Sequence, residues 1–418
     1  MGKYIIRGGR RISGTITVDG AKNAVLPILA AIPLCDGKFV VRNCPDISDT
    51  HITIEILKSL CYEINFDKKT LTAVRTKDST GCVPDTLVDK MRSSIIFMGS
   101  LLASGGFVEI GYPGGCELGK RPIDIHLAAF RKMGAKITER EKTVICEAKK
   151  LKGCDITLDF PSVGATENIM LAAVRAEGTT TIKNAAREPE IRDLAEFLNK
   201  MGANVSGAGE SEIKICGVKK LCGAEHTVLS DRIVAGTFLA AAAMTGGEIT
   251  LQNVIPSDLN PICASLAQSG CIIKGDANSV TLHAPERLSA IDIITEPHPG
   301  FPTDMQAQMC AMLSVADGFS VIDERIFSAR NKHIPELIKM GADIKMWGNG
   351  TVSTIRGVDS LHGAEVSARD LRGGAALIMA AIAAKGESIV KNSEYVERGY
   401  SKIEEMFRSL GADIDYQQ

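Results

Sequence analysis

Aromatic side chains are scarce, at 5% of 418 residues with a single tryptophan. The interior must therefore be filled by Ala, Ile, Leu, Val and Met. Long apolar runs are missing as well. The longest, such as residues 233–244, fall short of the roughly 20 residues that span a bilayer as a helix. The opening residues, Met1-Gly2-Lys3-Tyr4-Ile5-Ile6-Arg7, hold no apolar core, so no signal peptide is expected. Ile6 lacks the hydroxyl that a myristoylation signal requires.

Charge of one sign is also lacking. The 48 Lys and Arg nearly cancel the 50 Asp and Glu, leaving −2. No global attraction to nucleic acid or to an anionic membrane follows, and neither partner is expected. Twelve cysteines are present but no CxxC pair. The disulfide and zinc spacings are absent, which points to a reducing cytoplasm with mostly buried thiols.

Glycine is plentiful, with 40 residues, and its placement reveals an internal repeat. A helix ending in a Gly-Ala-like stop recurs at Cys61, Gly134, Gly202, Gly270, Gly341 and Gly411, about 70 residues apart. A second signature runs in phase with it: an Ala-rich helix closed by Gly37, Gly105, Gly178, Gly246, Gly318 or Gly386 and then a β-prone segment. The Ala-rich helices are apolar nearly all round, which predicts burial. The others are amphipathic, as in Ile334, Leu337 and Ile338 set against Glu336 and Lys339. Glycine at each stop fits the left-handed conformation of a helix C-terminus. The pattern reads as an α/β (α+β) chain of six β-α-β-α-β-β units. Units this long favour two compact domains of three units over an open solenoid.

Counting back from the stops of the buried helices places Lys22, Arg92, Thr166, Arg232, Asp304 and Arg372 in one structural phase, at predicted helix starts. The amphipathic helices add Arg121, Arg330 and Arg398 at theirs. Helix N-termini offer unpaired N–H groups and partial positive charge, which suit anions. Three units around a pseudo-threefold would bring their helix starts to one end of a domain, and two facing domains would form an anion-attracting cleft. Asp304 is the exception in sign, either a salt-bridge partner or a base held ionised by its neighbours. One loop stands out: Gly111-Tyr112-Pro113-Gly114-Gly115-Cys116-Glu117-Leu118-Gly119-Lys120-Arg121-Pro122. Its glycines and prolines exclude regular structure. Cys116 is expected to be exposed there, unlike the other cysteines, with Lys120 and Arg121 favouring its thiolate.

These residues resemble the enolpyruvyl transferases over essentially the whole chain. The resemblance is carried by Asp19-Gly20-Ala21-Lys22-Asn23, Pro113-Gly114-Gly115-Cys116, Arg121-Pro122-Ile123-Asp124 and Pro161-Ser162-Val163-Gly164-Ala165-Thr166-Glu167-Asn168. It is carried also by Phe301-Pro302-Thr303-Asp304-Met305-Gln306-Ala307-Gln308, Asp370-Leu371-Arg372 and Arg398-Gly399-Tyr400. It implies an inside-out α/β barrel of two domains, residues 1–21 plus 230–418 and residues 22–229, with the active site in the cleft between them. It implies transfer of enolpyruvyl from phosphoenolpyruvate to the 3′-hydroxyl of UDP-N-acetylglucosamine, the first committed step of peptidoglycan synthesis, with no metal or redox cofactor.

By the same pattern, Lys22, Arg121 and Arg398 would hold phosphoenolpyruvate. Asn23, Arg92, Arg121, Pro122, Ile123, Asp124, Ile125, Ser162, Val163, Gly164, Asp304 and Ile326 would hold the nucleotide sugar, and Arg330 and Arg372 would complete the charge clamps. Asp304 would deprotonate the sugar hydroxyl. Cys116 would help protonate C3, and would be the residue alkylated by the epoxide fosfomycin. Three departures from the family pattern stand out: Glu117-Leu118-Gly119-Lys120, Ser328-Ala329 before Arg330, and Tyr395-Val396-Glu397 before Arg398. They keep two alternatives in view, a non-catalytic or altered-acceptor nucleotide-sugar protein and 5-enolpyruvylshikimate-3-phosphate synthase.

Overall fold

The structure is a computed structural model, and it describes residues 2–77, 81–112 and 123–418. Cys116, Arg121 and Pro122, together with Glu117 to Lys120, lie outside the described residues. The chain divides into two compact units. One takes in the chain up to Asp19 together with Ser230–Gln418, and the other runs from Gly20 to Leu229. Each has its own hydrophobic core.

Each unit is built on three buried helices. In the first these are Arg232–Thr245, Gln306–Leu313 and Leu371–Ala383, which pack on one another. In the second they are Lys22–Ala31, Phe97–Gly105 and Val163–Ala173. Alanine and glycine let these helices approach closely, so few aromatics are needed to fill the space between them. Three sheets surround the helices of each unit. In every sheet strands with alternating burial, such as Glu248–Gln252 and Thr179–Lys183, turn apolar residues inward and polar ones out.

All six stops of the amphipathic helices take positive φ, as expected. Gly134, Gly202, Gly270, Gly341 and Gly411 lie between 92° and 98°, and Cys61 adopts the same conformation at 66° without glycine's freedom. At the buried helices Gly246 is the C-cap as expected, whereas Gly37, Gly178, Gly318 and Gly386 lie beyond helices that already end at Ala31, Ala173, Leu313 and Ala383, and the remaining stop is displaced by one residue. Gly106, at φ 71°, ends Phe97–Gly105 instead of Gly105.

The repeat is not closed within each 70-residue stretch. Ser13–Thr17 pairs in parallel with Glu248–Gln252, and Glu225–Thr227 pairs in parallel with Lys38–Arg42. Lys3–Arg7 inserts between Glu387–Lys391 and Asp413–Gln417. Two sheets thus take their first strand, and a third takes its last, from distant parts of the chain. This exchange follows from the chain leaving one unit after Asp19 and returning at Ser230.

The amphipathic reading of Ile334–Lys339 is corrected at two positions. Glu336 is buried and Ile338 is exposed. Glu336 can be buried because its carboxylate accepts from Lys339 Nζ at 2.7 Å and Ser367 N at 3.1 Å. No helix among the described residues is long and apolar enough to cross a membrane.

The cysteines also divide differently from expectation. All eleven described ones are free, and Cys82 and Cys222 are exposed, so exposure alone does not set Cys116 apart. Burial pushes the thiols of Cys35, Cys44, Cys146 and Cys310 up to about 12, which makes them inert near neutrality.

Candidate active site

In the first unit, Asp304 lies in a 3-10 turn, Thr303–Met305, that runs into Gln306–Leu313. Arg330 Nη1 donates to Asp304 Oδ1 at 2.8 Å and to the Thr303 carbonyl at 2.9 Å. Arg372 donates to the other oxygen, Oδ2, from Nη2 at 3.0 Å and from Nε at 3.3 Å. The side chains of both arginines are 5% exposed and that of Asp304 is 23% exposed. Burial alone would raise the Asp304 carboxyl, but the guanidiniums of Arg372 and Arg330 outweigh it and hold the group well below the usual carboxylate range.

Neighbouring groups fix this cluster. Asp370 caps Leu371–Ala383 by accepting from Gly373 N at 2.8 Å, which sets the start of the helix that carries Arg372. The Arg372 guanidinium lies over the Tyr400 ring at 5.5 Å. Tyr400 Oη in turn meets Thr237 Oγ1 at 2.8 Å and accepts from Gln308 Nε2 at 3.3 Å. Burial pushes the Tyr400 hydroxyl up, so it stays protonated. Arg330 lies over the Phe327 ring at 5.0 Å. Arg372 Nη1 and Arg330 Nε are buried without a hydrogen-bond partner among the described residues.

Ile326 is held through its backbone. Glu324 Oε1 accepts from Ile326 N and Phe327 N, both at 2.9 Å, and Oε2 accepts from Thr303 Oγ1 at 2.9 Å. One buried carboxylate thus ties the Ile326 segment to the turn that carries Asp304. Two helix-start expectations are corrected here. Arg330 lies in the turn before Ile334–Lys339, and Arg398 in the turn before Ile403–Ser409. Arg330 can leave the helix because its bond to Asp304 supplies the positioning. Arg232 does begin its helix, which Asp231 caps by accepting from Ile233 N at 2.8 Å.

In the second unit, Lys22 begins Lys22–Ala31, and its Nζ meets Asp49 Oδ2 at 2.7 Å. The two side chains are 10% and 0% exposed. Asn23 follows on the same turn. Arg92 begins a 3-10 segment, Arg92–Ile96, that continues into Phe97–Gly105, so it precedes the α-helix by a full turn. Asp124 begins Asp124–Lys132, with Ile123 as its N-cap and Ile125 packed against the core. Ser162 caps Val163–Ala173, and Val163 and Gly164 form the first turn of that helix. Thr166 lies inside the helix, and its Oγ1 accepts from Ala186 N at 3.1 Å, so its role is to anchor a loop.

Asp49, Asn168, Glu324 and Thr237 were not singled out from sequence. Nothing in the local pattern around Asp49 marks it as the partner of Lys22, because the pairing is tertiary.

Two buried histidines give the protein a predictable acid response. Burial, and then Arg92, lower His126 to about 4. Burial lowers His333 to about 4, with Asp370 opposing and Arg330 assisting. An unfolded histidine takes up a proton near 6.5, whereas these do so only near 4. The unfolded chain therefore binds more protons in that window, and stability falls as pH drops from about 6.5 to about 4. Each histidine contributes a loss of up to about 3 kcal/mol at the acid end. Urea unfolding at pH 7 and pH 5 of wild type and of His333→Gln checks this: the variant should lose less stability between the two pH values, and equal losses would contradict it.

Residues 6–407 match the family described as EPSP synthase (3-phosphoshikimate 1-carboxyvinyltransferase). The chain belongs to this family of enolpyruvyl transferases. A relative from Caldanaerobacter subterraneus subsp. tengcongensis, named UDP-N-acetylglucosamine 1-carboxyvinyltransferase 2, is 48% identical over 417 residues, 99% of each chain. One from Symbiobacterium thermophilum, named UDP-N-acetylglucosamine 1-carboxyvinyltransferase 1, is 49% identical over 418 aligned residues, 99% of this chain and 94% of the relative. Among solved structures, the enolpyruvyl transferase NikO from Streptomyces tendae matches with TM-score 0.90 at 24% identity, over 100% of this chain and 99% of that one. EPSP synthase from Acinetobacter baumannii matches with TM-score 0.76 at 22% identity over the whole of both chains. These two likenesses establish the fold: a two-domain α/β architecture, as the repeat and the family resemblance led one to expect.

Proposed function

We infer that this protein transfers the enolpyruvyl group of phosphoenolpyruvate to the 3′-hydroxyl of UDP-N-acetylglucosamine, releasing phosphate, in peptidoglycan synthesis. The observation that carries this reading is the 48–49% identity, along nearly the whole chain, to relatives named for that acceptor. The eleven free cysteines among the described residues accord with a reducing cytoplasm as its compartment.

We assign the residues as follows. Lys22, Arg121 and Arg398 hold the phosphate and carboxylate of phosphoenolpyruvate. Asn23, Arg92, the segment from Arg121 to Ile125, Ser162 to Gly164, Asp304 and Ile326 hold the nucleotide sugar. Arg330 and Arg372 supply further positive charge. Asp304 accepts the 3′-hydroxyl proton as that oxygen bonds to C2, and Cys116 delivers a proton to C3. Loss of a C3 proton then accompanies cleavage of the C2–O bond, and phosphate leaves with the bonding electrons.

The Asp304 cluster adds a requirement. With both oxygens held by guanidiniums, Asp304 is a weak base. It becomes an effective one when substrate anions draw Arg372 and Arg330 toward themselves. The unpartnered Arg372 Nη1 and Arg330 Nε are donors already suited to that exchange.

Phosphate release from phosphoenolpyruvate, followed with UDP-N-acetylglucosamine and separately with shikimate 3-phosphate, tests the acceptor. The nucleotide sugar is expected to win by at least about 10³-fold in kcat/KM, since a site built to hydrogen-bond one acceptor leaves buried groups unpaired with another. Preference for shikimate 3-phosphate would overturn the reading.

A further inference from the structure

Asn168 lies in the second turn of Val163–Ala173 and is completely buried. Its carboxamide makes three hydrogen bonds, to three other elements. Oδ1 accepts from Gly99 N at 2.7 Å, and Nδ2 donates to the Ile95 carbonyl at 2.8 Å. Nδ2 also meets His126 Nδ1 at 3.0 Å.

Residues 95 and 99 are the pair that one α-helical hydrogen bond would join. The carboxamide bonds to both ends of that pair, at the junction where the 3-10 segment bearing Arg92 becomes Phe97–Gly105. The approach is close: a Cβ on Gly99 would fall 2.2 Å from the backbone carbonyl oxygen of Asn168 and 2.7 Å from its Oδ1, so only glycine fits there.

The orientation of the amide is determined. Turned over, it would set oxygen against the Ile95 carbonyl and NH2 against the Gly99 N–H. His126 Nδ1 must then be an acceptor, which fixes the neutral ring with its proton on Nε2. His126 stands two residues after Asp124, on Asp124–Lys132. Its ring edge lies 3.5 Å from where a Cβ on Gly164 would be.

One side chain therefore joins the three segments that carry Arg92, Asp124 and Ser162 to Gly164. We propose that Asn168 is a positioning residue for the nucleotide sugar, locking these three segments in the mutual geometry that binds it. The inference rests on the reading above, in which those segments contact UDP-N-acetylglucosamine. Of the residues that hold phosphoenolpyruvate in that reading, Lys22 and Arg398 lie outside these segments, so Asn168 acts chiefly on the nucleotide sugar.

The test compares Asn168→Ala and Asn168→Asp with Ile215→Ala, which removes buried apolar volume from a different element of the same unit, the strand Glu212–Cys216. KM for UDP-N-acetylglucosamine is expected to rise about 10- to 100-fold in Asn168→Ala, the scale expected of a misplaced binding group. KM for phosphoenolpyruvate should stay within about threefold in the same variant. Asn168→Asp keeps the acceptor for Gly99 N and loses both donors, and is expected to shift in the same direction while keeping the side chain's volume. Ile215→Ala should lower the melting temperature and leave both KM values near wild type. Calorimetric titration of wild-type protein with UDP-N-acetylglucosamine separates the two ways of failing. Wild type that does not bind the sugar would overturn the functional reading and this inference with it. Wild type that binds, with Asn168→Ala and Asn168→Asp binding equally well, would overturn this inference alone. Equal rises in both KM values across all three variants would likewise overturn it.

Discussion

Asp304→Ala is expected to lower kcat by about 10³-fold, within the range typical for loss of a positioned general base. The same change removes the counter-charge of Arg330 and Arg372, both only 5% exposed. Leaving two buried cations uncompensated costs about 3–5 kcal/mol of stability. Asp304→Asn separates the two effects. It keeps the shape and one acceptor oxygen but cannot take a proton, so turnover should stay low while much of the stability returns. Steady-state kinetics paired with urea unfolding reads both. Turnover within tenfold of wild type in either variant would remove Asp304 from the chemistry and leave it a salt-bridge partner only.

Lys22→Met should cost nearly as much. Lys22 Nζ lies 2.7 Å from a carboxylate, Asp49, that is 0% exposed. Removing the cation takes a close counter-charge from a fully buried carboxylate and costs up to about 3–5 kcal/mol. It also removes a cation assigned to phosphoenolpyruvate, with an expected loss of about 10²–10³ in kcat/KM. The double variant Lys22→Met with Asp49→Asn distinguishes the roles. Stability should largely recover, because the buried charge has gone, and activity should not. Recovery of turnover in the double variant would mean that Lys22 serves only to neutralise Asp49.

Much of the architecture could be read from the chain, because it is written in local conformation. Every stop of the amphipathic helices, from Cys61 to Gly411, takes the positive φ that the repeat predicted. What could not be read depends on distant partners. The pairing of Ser13–Thr17 with Glu248–Gln252 joins residues more than two hundred positions apart, which no 70-residue period encodes. Glu336 was placed on the solvent side because carboxylates usually belong there, and only its bonds to Lys339 and Ser367 make burial tolerable.

The same division runs through the candidate site. Lys22, Arg232 and Arg372 fall at or next to helix starts, where counting back from the stops put them. Arg330 and Arg398 were expected at helix starts and lie in turns; Arg330 is held in its turn by bonds to Asp304 and the Thr303 carbonyl. Asn168 was visible only as the end of a motif. Its three bonds reach Ile95, Gly99 and His126, none of which is near it in sequence.

The central claim is the identity of the acceptor and the bond formed on it. Purified protein incubated with phosphoenolpyruvate and UDP-N-acetylglucosamine should convert the nucleotide sugar to a species heavier by one carboxyvinyl group, with one phosphate released for each. No change in the mass of the nucleotide sugar, or phosphate released at the same rate without it, would contradict the account.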